Sequence, residues 1–545
     1  MNILGLHLGH DATAALIVDN RLVSMIEKER LTRKKYDRGF MPEMVDRCLE
    51  LGGIGFVDID YVAVSLSVGP DESPDIRLDD LWGITITKDG KRYINGPRQL
   101  NWEYEDGITV RYEGIDKPAF QIQHHIAHAA ASFYVSDFKN AISLTYDGSG
   151  PPDEQTSLIC KCKDTKINVE GVPNMTGALL YGVICRFVFG SWRDSGKWMG
   201  LAAYGEPNYY MDKFMDDTSI NGITKNLNKY WENPKEWAKL YKSFTTKIKD
   251  LAASTQKWME ENLKIVLNFI EKEYGRTNII IGGGGALNVI CNRMIYDRFP
   301  VFCTPFTKDD GLAAGGALYV LHYIMGIKRQ KYTTRDITFL GNGDSSWEWT
   351  SSTQLHLKTQ IDIKSIAQDL ADGKVVLWHQ GRSEVGPRAL SHRSIFASPV
   401  NYEMKQYVSE HIKGRESYRP LAPIVLAEDC EEWFDVKPCA MTDLMLLNAK
   451  VKKPDLIPAV VHIDGTARVQ TITKEFNPIV YDLLSEFKKL TGIPVLINTS
   501  LNIQGQAICD SERDTLWTFD NCDADICVIN NEVHRKNKKE EKEVA

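Results

Sequence analysis

The sequence predicts an α/β protein built from two domains, and three observations carry that expectation. The chain has 545 residues, more than one ordinary hydrophobic core holds together. Short apolar runs end in glycine or polar turns and lead into segments of helical periodicity, the pattern of strands feeding helices. A polar, irregular stretch at 328–352 (KRQKYTTRD, then GNGDSSWEW) divides two such series, which places domains over 1–335 and 351–535.

The first domain opens with the strand Ile3-Leu6 and a polar turn, His7-Asp11. Two runs, Ala12-Val18 and Arg21-Ile26, then read as a hairpin joined at Asp19-Asn20. A helix over Pro42-Leu51 and a strand over Tyr61-Ser65 follow. Residues 70–118 are rich in Asp, Gly, Trp and Tyr and weakly periodic, so they read as an insertion able to contact substrate. Residues 119–150 run strand, helix, strand, turn. Residues 207–275 read as mostly helical, with Trp231, Trp237, Leu240 and Tyr241 at helical spacing and Leu251 to Ile270 continuing it. The strand Asn278-Ile281 empties into Gly282-Gly285 and then a helix, and Leu312-Met325 is a further apolar helix. A new unit begins near Ile363 with a helix and the strand Val375-His379. The charged tail HRKNKKEEKEVA is expected to be disordered, and no internal repeat is visible.

Composition excludes several classes. The net charge of -8 argues against bulk affinity for nucleic acid or an anionic membrane, so neither is expected as a partner. The N-terminus lacks the basic start, apolar run and cleavage site of a signal peptide and reads as a strand. The apolar stretch Leu312-Ile327 is too short to span a bilayer and holds His322, so it reads as a buried helix. The eleven cysteines are scattered, and Cys160 and Cys162 form the one close pair. Without a second pair there is no zinc framework, and free thiols in a reducing cytoplasm are expected.

Three strand ends in the first half carry glycine or polar turns: Leu8-Gly9-His10-Asp11, Asp147-Gly148-Ser149-Gly150 and Gly282-Gly283-Gly284-Gly285. Glycine lets a backbone approach phosphate closely and aim N–H groups at it, and a helix starting after Gly285 would add its dipole. Gly148, Gly283 and Gly284 are the nucleotide-binding candidates. One such loop is as well explained by a structural turn. Three in this order after a hairpin resemble the actin-like ATPase superfamily.

The segment QIQHHIAHAAASF sets His124 and His128 one helical turn apart, a spacing that suits two imidazoles on one metal or a polar packing pair. His125 points about 100° away and reads as a supporting or substrate contact. Asp147 and Asp309 are candidate third and fourth ligands, each equally readable as a cap or turn residue. Two His with two carboxylates suit Fe(II), Mn(II) or Zn(II). His10, in the first turn beside Asp11, is either a general base for a hydroxyl or a histidine holding the turn.

In the second half, Arg382, Arg388, Arg393, Lys413, Arg415, Arg419 and Arg468 recur in Gly/Pro-broken segments. Guanidinium forks match phosphate and carboxylate oxygens. The interleaved Ala389, Leu390, Leu421, Ala422 and Pro423 favour a partly buried cleft over a solvated basic surface.

With these motifs in order, the chain resembles the NodU/CmcH family of O-carbamoyltransferases. The likeness runs from LGLHLGHDATAALIVDNRLVSMIEKERLTRKKY through HHIAHAAASF, TYDGSG, GKWMGLAAYG, GGGGALNVICN and DDGLAAGGAL to GRSEVGPRAL, KGRESYRPLAP, HIDGTARVQ and LINTSLN. The resemblance implies an N-terminal actin-like (ASKHA) domain, similar to the tRNA threonylcarbamoyl-transfer proteins, and a C-terminal YrdC-like α/β domain. It implies that the C-terminal domain makes a carbamoyl-adenylate from carbamoyl phosphate and ATP, the latter with Mg(II). The N-terminal domain then passes the carbamoyl group to the hydroxyl of a small-molecule alcohol, a natural product being expected. By motif position it implies His124, His128, Asp147 and Asp309 around Fe(II), and His10 as the base. Arg388, Arg393, Lys413, Arg419, Arg468 and Ser500 become the adenylate site, with Arg388 and Lys413 catalytic. A homodimer stays open. Ser391 stands where the family commonly has Gly, and Gln506 where a Glu is usual. A fused tRNA threonylcarbamoyl-transfer enzyme is the competing activity, and the acidic charge disfavours it.

Overall fold

The computed structural model describes residues 1–65, 85–88, 91–92, 104–150, 155–171, 173, 175, 177–207, 247–343 and 356–536. They form two compact units. The first comprises Met1–Lys28, Tyr36–Thr333 and Leu446–Asn448; the second comprises Glu29–Lys35, Thr334–Met445 and Ala449–Ala545. Both are α/β with mixed sheets. No helix among the described residues is long and apolar enough to cross a membrane.

The first unit holds two sheets. Strands β1 (Ile3–His7), β2 (Thr13–Val18), β3 (Arg21–Glu27), β4 (Tyr61–Ser65), β5 (Thr85–Lys88), β6 (Lys91–Arg92), β7 (Tyr104–Tyr112) and β8 (Ile115–Ile122) lie in the order β3-β2-β1-β4-β8-β7-β5-β6. Strands β9 (Asn140–Gly150), β10 (Gln155–Lys163), β11 (Lys166–Gly171), β12 (Ile279–Gly282) and β13 (Val301–Phe302) lie in the order β11-β10-β9-β12-β13. The two share one plan. Three strands form an antiparallel meander, and two more continue in parallel from its first strand. The sequence shows no repeat, yet the topology is used twice.

Local chemistry explains the elements. The hairpin turns at Asp19 (φ 49°) and Asn20 (φ 66°), the left-handed pair that matches strand twist. The helix Pro42–Gly52 starts on proline and stops at Gly53 (φ 66°), whose N–H closes the last turn. All of β1 is buried, because the helix Leu312–Tyr319 covers it. That contact needs glycine: a Cβ on Gly5 would lie 2.0 Å from the Ala313 carbonyl oxygen. Gly315 on the same helix meets the helix His124–Phe133, where a Cβ would lie 1.9 Å from the Ala127 carbonyl oxygen.

Several expectations are corrected. The turn expected at Asp147–Gly150 is the end of β9, carried onward by pairing with β10. The helix after Gly282–Gly285 starts later: a single tight turn, Gly284–Leu287, precedes the helix Val289–Tyr296. The Asn288 side chain caps its first N–H groups, at Ile290 and Cys291, so these are taken. The apolar helix from Leu312 is α-helical to Tyr319 and continues as a wider π turn over Val320–Ile324. Of the expected insertion, residues 85–88, 91–92 and 104–118 supply β5 to β7 and the start of β8. Trp231, Trp237, Leu240 and Tyr241 lie outside the described residues, as do 537–545 of the tail.

The second unit carries β14 (His356–Gln360), β15 (Val376–His379), β16 (Arg393–Ala397), β17 (Ala422–Leu426), β18 (Leu447–Lys450), β19 (Thr466–Ile472), β20 (Val495–Ser500), β21 (Ile526–Ile529) and β22 (Glu532–Lys536). Their order is β14-β22-β21-β15-β16-β20-β17-β19-β18, and the helices Ile363–Ala371 and Pro478–Thr491 pack on one another beside them.

Candidate active site

In the first unit the ends of three elements converge. His124 and His128 project from the helix His124–Phe133, which begins where the Gln123 side chain accepts the Ile126 N–H. Asp147 projects from β9 and Asp309 from the turn Asp309–Gly311 ahead of the apolar helix. One ligand atom from each lies within 4.8 Å of all the others. His124 Nε2 is 3.0 Å and His128 Nε2 3.2 Å from the same Asp147 oxygen, and Asp309 Oδ1 is 3.7 and 3.4 Å from those two nitrogens. The two imidazole nitrogens are themselves 3.2 Å apart. Two nitrogen and two oxygen donors converge, all buried but the partly exposed Asp147, and fit a first-row divalent cation. Burial opposes the charge on both carboxyls, but the facing imidazoles hold Asp147 and Asp309 well below the usual carboxylate range.

His10 stands at the rim. Its Nε2 is 3.3 Å from Asp309 Oδ2 and its Nδ1 3.1 Å from Asp11 Oδ2. Burial works against its charge, but the Asp309 and Asp11 carboxylates outweigh it and raise the imidazole to about 9. The Trp192 ring lies 5.0 Å from the His10 ring, and Tyr36 packs edge-on against Trp192. His7, one turn deeper, is fully buried and pushed down to about 4 by that burial. Its Nδ1 and Nε2 lie 2.7 and 2.9 Å from the Ser65 and His10 carbonyls, one of which accepts its single N–H, and so it packs against the loop that carries His10. His125 faces Thr145 Oγ1 at 3.0 Å rather than the cluster.

The glycines divide. The Gly148 and Gly284 N–H groups donate to Asp147 Oδ1 at 2.7 and 3.1 Å. Gly283 (φ 91°) lies so close to β9 that a Cβ would fall 2.5 Å from the Tyr146 carbonyl oxygen. Gly283 and Gly284 thus hold Asp147 in place, while a side chain on Gly148 would meet open space among the described residues.

In the second unit Arg388, Lys413, Arg415, Arg419 and Arg468 form a mutually repelling group. Burial and the surrounding cations depress Arg468 and Lys413 far below their ordinary values, and burial with Arg419 lowers Arg415 to about 9. Glu416, 3.6 Å from Arg419, is a nearby counter-charge. Lys413 is committed to the end of β20: its ammonium donates to the Ser500 carbonyl at 2.5 Å, Ser500 Oγ at 3.1 Å and Asn502 Oδ1 at 2.6 Å. Arg393 is fully buried and donates to the carbonyls of Gln380, Gly381, His392 and Asp510. Sequence reasoning set it among ligand-facing groups; here it ties loops together. Ser391 takes φ 86°, a conformation that suits glycine, and the Asn477 side chain donates to its hydroxyl at 2.9 Å.

Sequence reasoning missed Lys308, Asp310, His7 and Trp192 near the first cluster, and it placed Arg415 in the basic group of the second half but not in the adenylate site. Lys308 carried a signal, since a lysine beside two aspartates ahead of an apolar run needs a buried partner.

The comparisons supply the class. The family described as "Carbamoyltransferase N-terminus" matches residues 2–318, and "Carbamoyltransferase C-terminus" matches 367–536, so the chain is a transferase. It belongs to the carbamoyltransferase family. Nodulation protein NolNO of Sinorhizobium fredii is 29% identical over 97% of this chain and 79% of its own length. Nodulation protein NolO of Bradyrhizobium diazoefficiens is 33% identical over 75% of this chain and 78% of its own. Nodulation protein U of Sinorhizobium fredii is 28% identical over 94% and 95%. Among solved structures, full-length HypF aligns over 58% of this chain and 46% of its own at 13% identity, with a TM-score of 0.30.

Proposed function

We propose that this carbamoyltransferase is ATP-dependent and acts on a hydroxyl, in two stages. Residues 351–535, read as a YrdC-like domain, convert carbamoyl phosphate, ATP and water into a carbamoyl-adenylate, phosphate and pyrophosphate. Residues 1–335, read as an actin-like domain, join an alcohol oxygen to the carbamoyl carbon as the bond to the AMP phosphate oxygen breaks. The observation that carries this reading is the group Arg388, Arg415, Arg419 and Arg468. Partly buried guanidiniums that repel one another are stabilised by an anion of several charges, as ATP with carbamoyl phosphate supplies. Arg388, Arg419 and Arg468 grip phosphate oxygens in this scheme. Lys413 and Arg393 keep the Ser500 and Asp510 segments in register around them.

In the first domain His10 takes the acceptor proton at Nε2, the nitrogen turned to the cluster, while Trp192 and Tyr36 wall off bulk water on the other side. His124, His128, Asp147 and Asp309 are the ligands of a divalent cation, Fe(II) by the resemblance. Such an ion supplies Lewis acidity and offsets the carboxylate charge that otherwise keeps a proton on His10. Gly148 leaves room for a phosphate beside the centre. The acceptor is a small-molecule alcohol.

The test is direct. Purified protein with ATP and carbamoyl phosphate is assayed for pyrophosphate, and candidate alcohols are screened by mass for the gain of one carbamoyl group. Pyrophosphate release that needs carbamoyl phosphate is expected. Its absence under every condition ends the reading.

A further inference from the structure

Arg388 sits with Arg415 and Arg419 against Arg468, so the loop that carries it is held in place against like-charge repulsion. Residues 384–391 lie in neither helix nor strand and turn on two left-handed residues, Gly386 (φ 87°) and Ser391 (φ 86°). Other parts of the second unit pin their backbone. The Val385 N–H donates to the Thr338 carbonyl at 2.9 Å, and the Asn498 amide donates to the Ala389 carbonyl at 3.2 Å. Arg30 donates to the Gly386 carbonyl at 2.7 Å. Pro387 has a fixed φ and no N–H to satisfy.

Glu384 is fully buried at the start of this loop. One of its oxygens accepts the Leu390 N–H at 2.6 Å and the Arg393 N–H at 3.2 Å, so the far end of the loop is drawn back onto its beginning. The other oxygen is buried and has no hydrogen-bond partner among the described residues. An idle, buried carboxylate oxygen costs stability, and a neutral amide would hold the same two N–H groups. What a carboxylate adds is stronger bonds to them, roughly twice as strong as neutral ones. That extra hold matters where the loop carries a cation that its neighbours repel.

We propose that Glu384, acting through Arg388, is a positioning residue: with Arg30 it braces the loop that keeps Arg388 among the guanidiniums of the second unit. This rests on the reading of that group as the grip on phosphate oxygens. Glu384 itself touches no ligand in this scheme, so its effect vanishes when Arg388 is gone.

A double-mutant cycle on the full-length protein tests this, with a probe that needs no turnover. Inorganic pyrophosphate is titrated by calorimetry into wild type, Glu384→Leu, Arg388→Gln and the double variant. Glu384→Leu is expected to weaken binding about tenfold in the wild-type background and less than about twofold in the Arg388→Gln background. Glu384→Gln keeps an oxygen for the two N–H groups and should recover most of the loss. Thermal unfolding checks that each variant folds. If Glu384→Leu does not, Arg30→Gln releases the other brace and is carried through the same cycle. Losses that add in the double variant, wild-type affinity in Glu384→Leu, or no recovery in Glu384→Gln overturns the proposal. A wild type that shows the cycle but never releases pyrophosphate from ATP and carbamoyl phosphate overturns the carbamoyl-adenylate reading instead. A wild type that does not bind pyrophosphate overturns both.

Discussion

His124 and His128 face one another through Nε2 atoms 3.2 Å apart, and both address a single oxygen of Asp147. Two imidazole nitrogens at that distance need a shared cation or proton between them. Metal analysis of purified protein should therefore find about one divalent ion per chain. His128→Ala should lose it, with metal affinity falling by more than the roughly 10–100-fold that a supporting residue costs. A variant that retains stoichiometric metal refutes the assignment.

Gly315 gives a test of what positions that centre. Alanine there would thrust a Cβ to 1.9 Å from the Ala127 carbonyl oxygen, on the helix that carries both histidines. Gly315→Ala should destabilise the protein by about 1–3 kcal/mol and reduce metal occupancy. Gly148→Ala meets open space among the described residues and should leave the thermal midpoint near wild type.

The guanidinium cluster predicts opposite effects on stability and activity. Arg468 is held far below its ordinary value by burial and by Arg388, Arg415 and Arg419, so the charged form strains the folded state. Arg468→Met should raise the thermal midpoint without nucleotide, while pyrophosphate release falls at least about tenfold. A variant both less stable and fully active contradicts the role given to it.

His392 makes the second unit acid-sensitive. Burial pushes its imidazole down to about 3, with the Arg382 carbonyl opposing, and the ring stacks on Phe339. In the unfolded chain it takes a proton below about 6.5, while the folded form refuses it. The stability it contributes is therefore full above pH 6.5 and is lost as pH falls toward 3, by up to about 1.4 kcal/mol per pH unit. Urea unfolding between pH 7.5 and 5 should show a shallower loss in His392→Gln than in wild type.

Strand and helix positions were legible where one local rule decides them. Asp19-Asn20 fixes its turn, Pro42 and Gly53 bracket their helix, and Tyr61–Ser65 is a strand from its apolar run. The helical spacing of His124 and His128 was equally readable. What was not legible depends on distant partners. Asp147 continues a strand because β10 pairs on either side of it, Ser157 with Tyr146 and Gln155 with Gly150, which no property of DGSG reveals. Arg393 looks like a phosphate ligand until the carbonyls of residues 380, 381 and 510 arrive around it. Lys308 signals a buried partner, but which partner shows only once Asp11, far away in the chain, is beside it.

The division of the chain bears on how the protein is made. Glu29–Lys35 leaves the ribosome early yet belongs to the second unit, where Arg30 donates to the Gly386 carbonyl at 2.7 Å and Arg33 to the Gln506 side chain at 2.8 Å. During synthesis these residues wait for partners more than 350 positions downstream. The second unit cannot close until nearly the whole polypeptide has emerged, and a fragment started after residue 334 lacks a piece of itself.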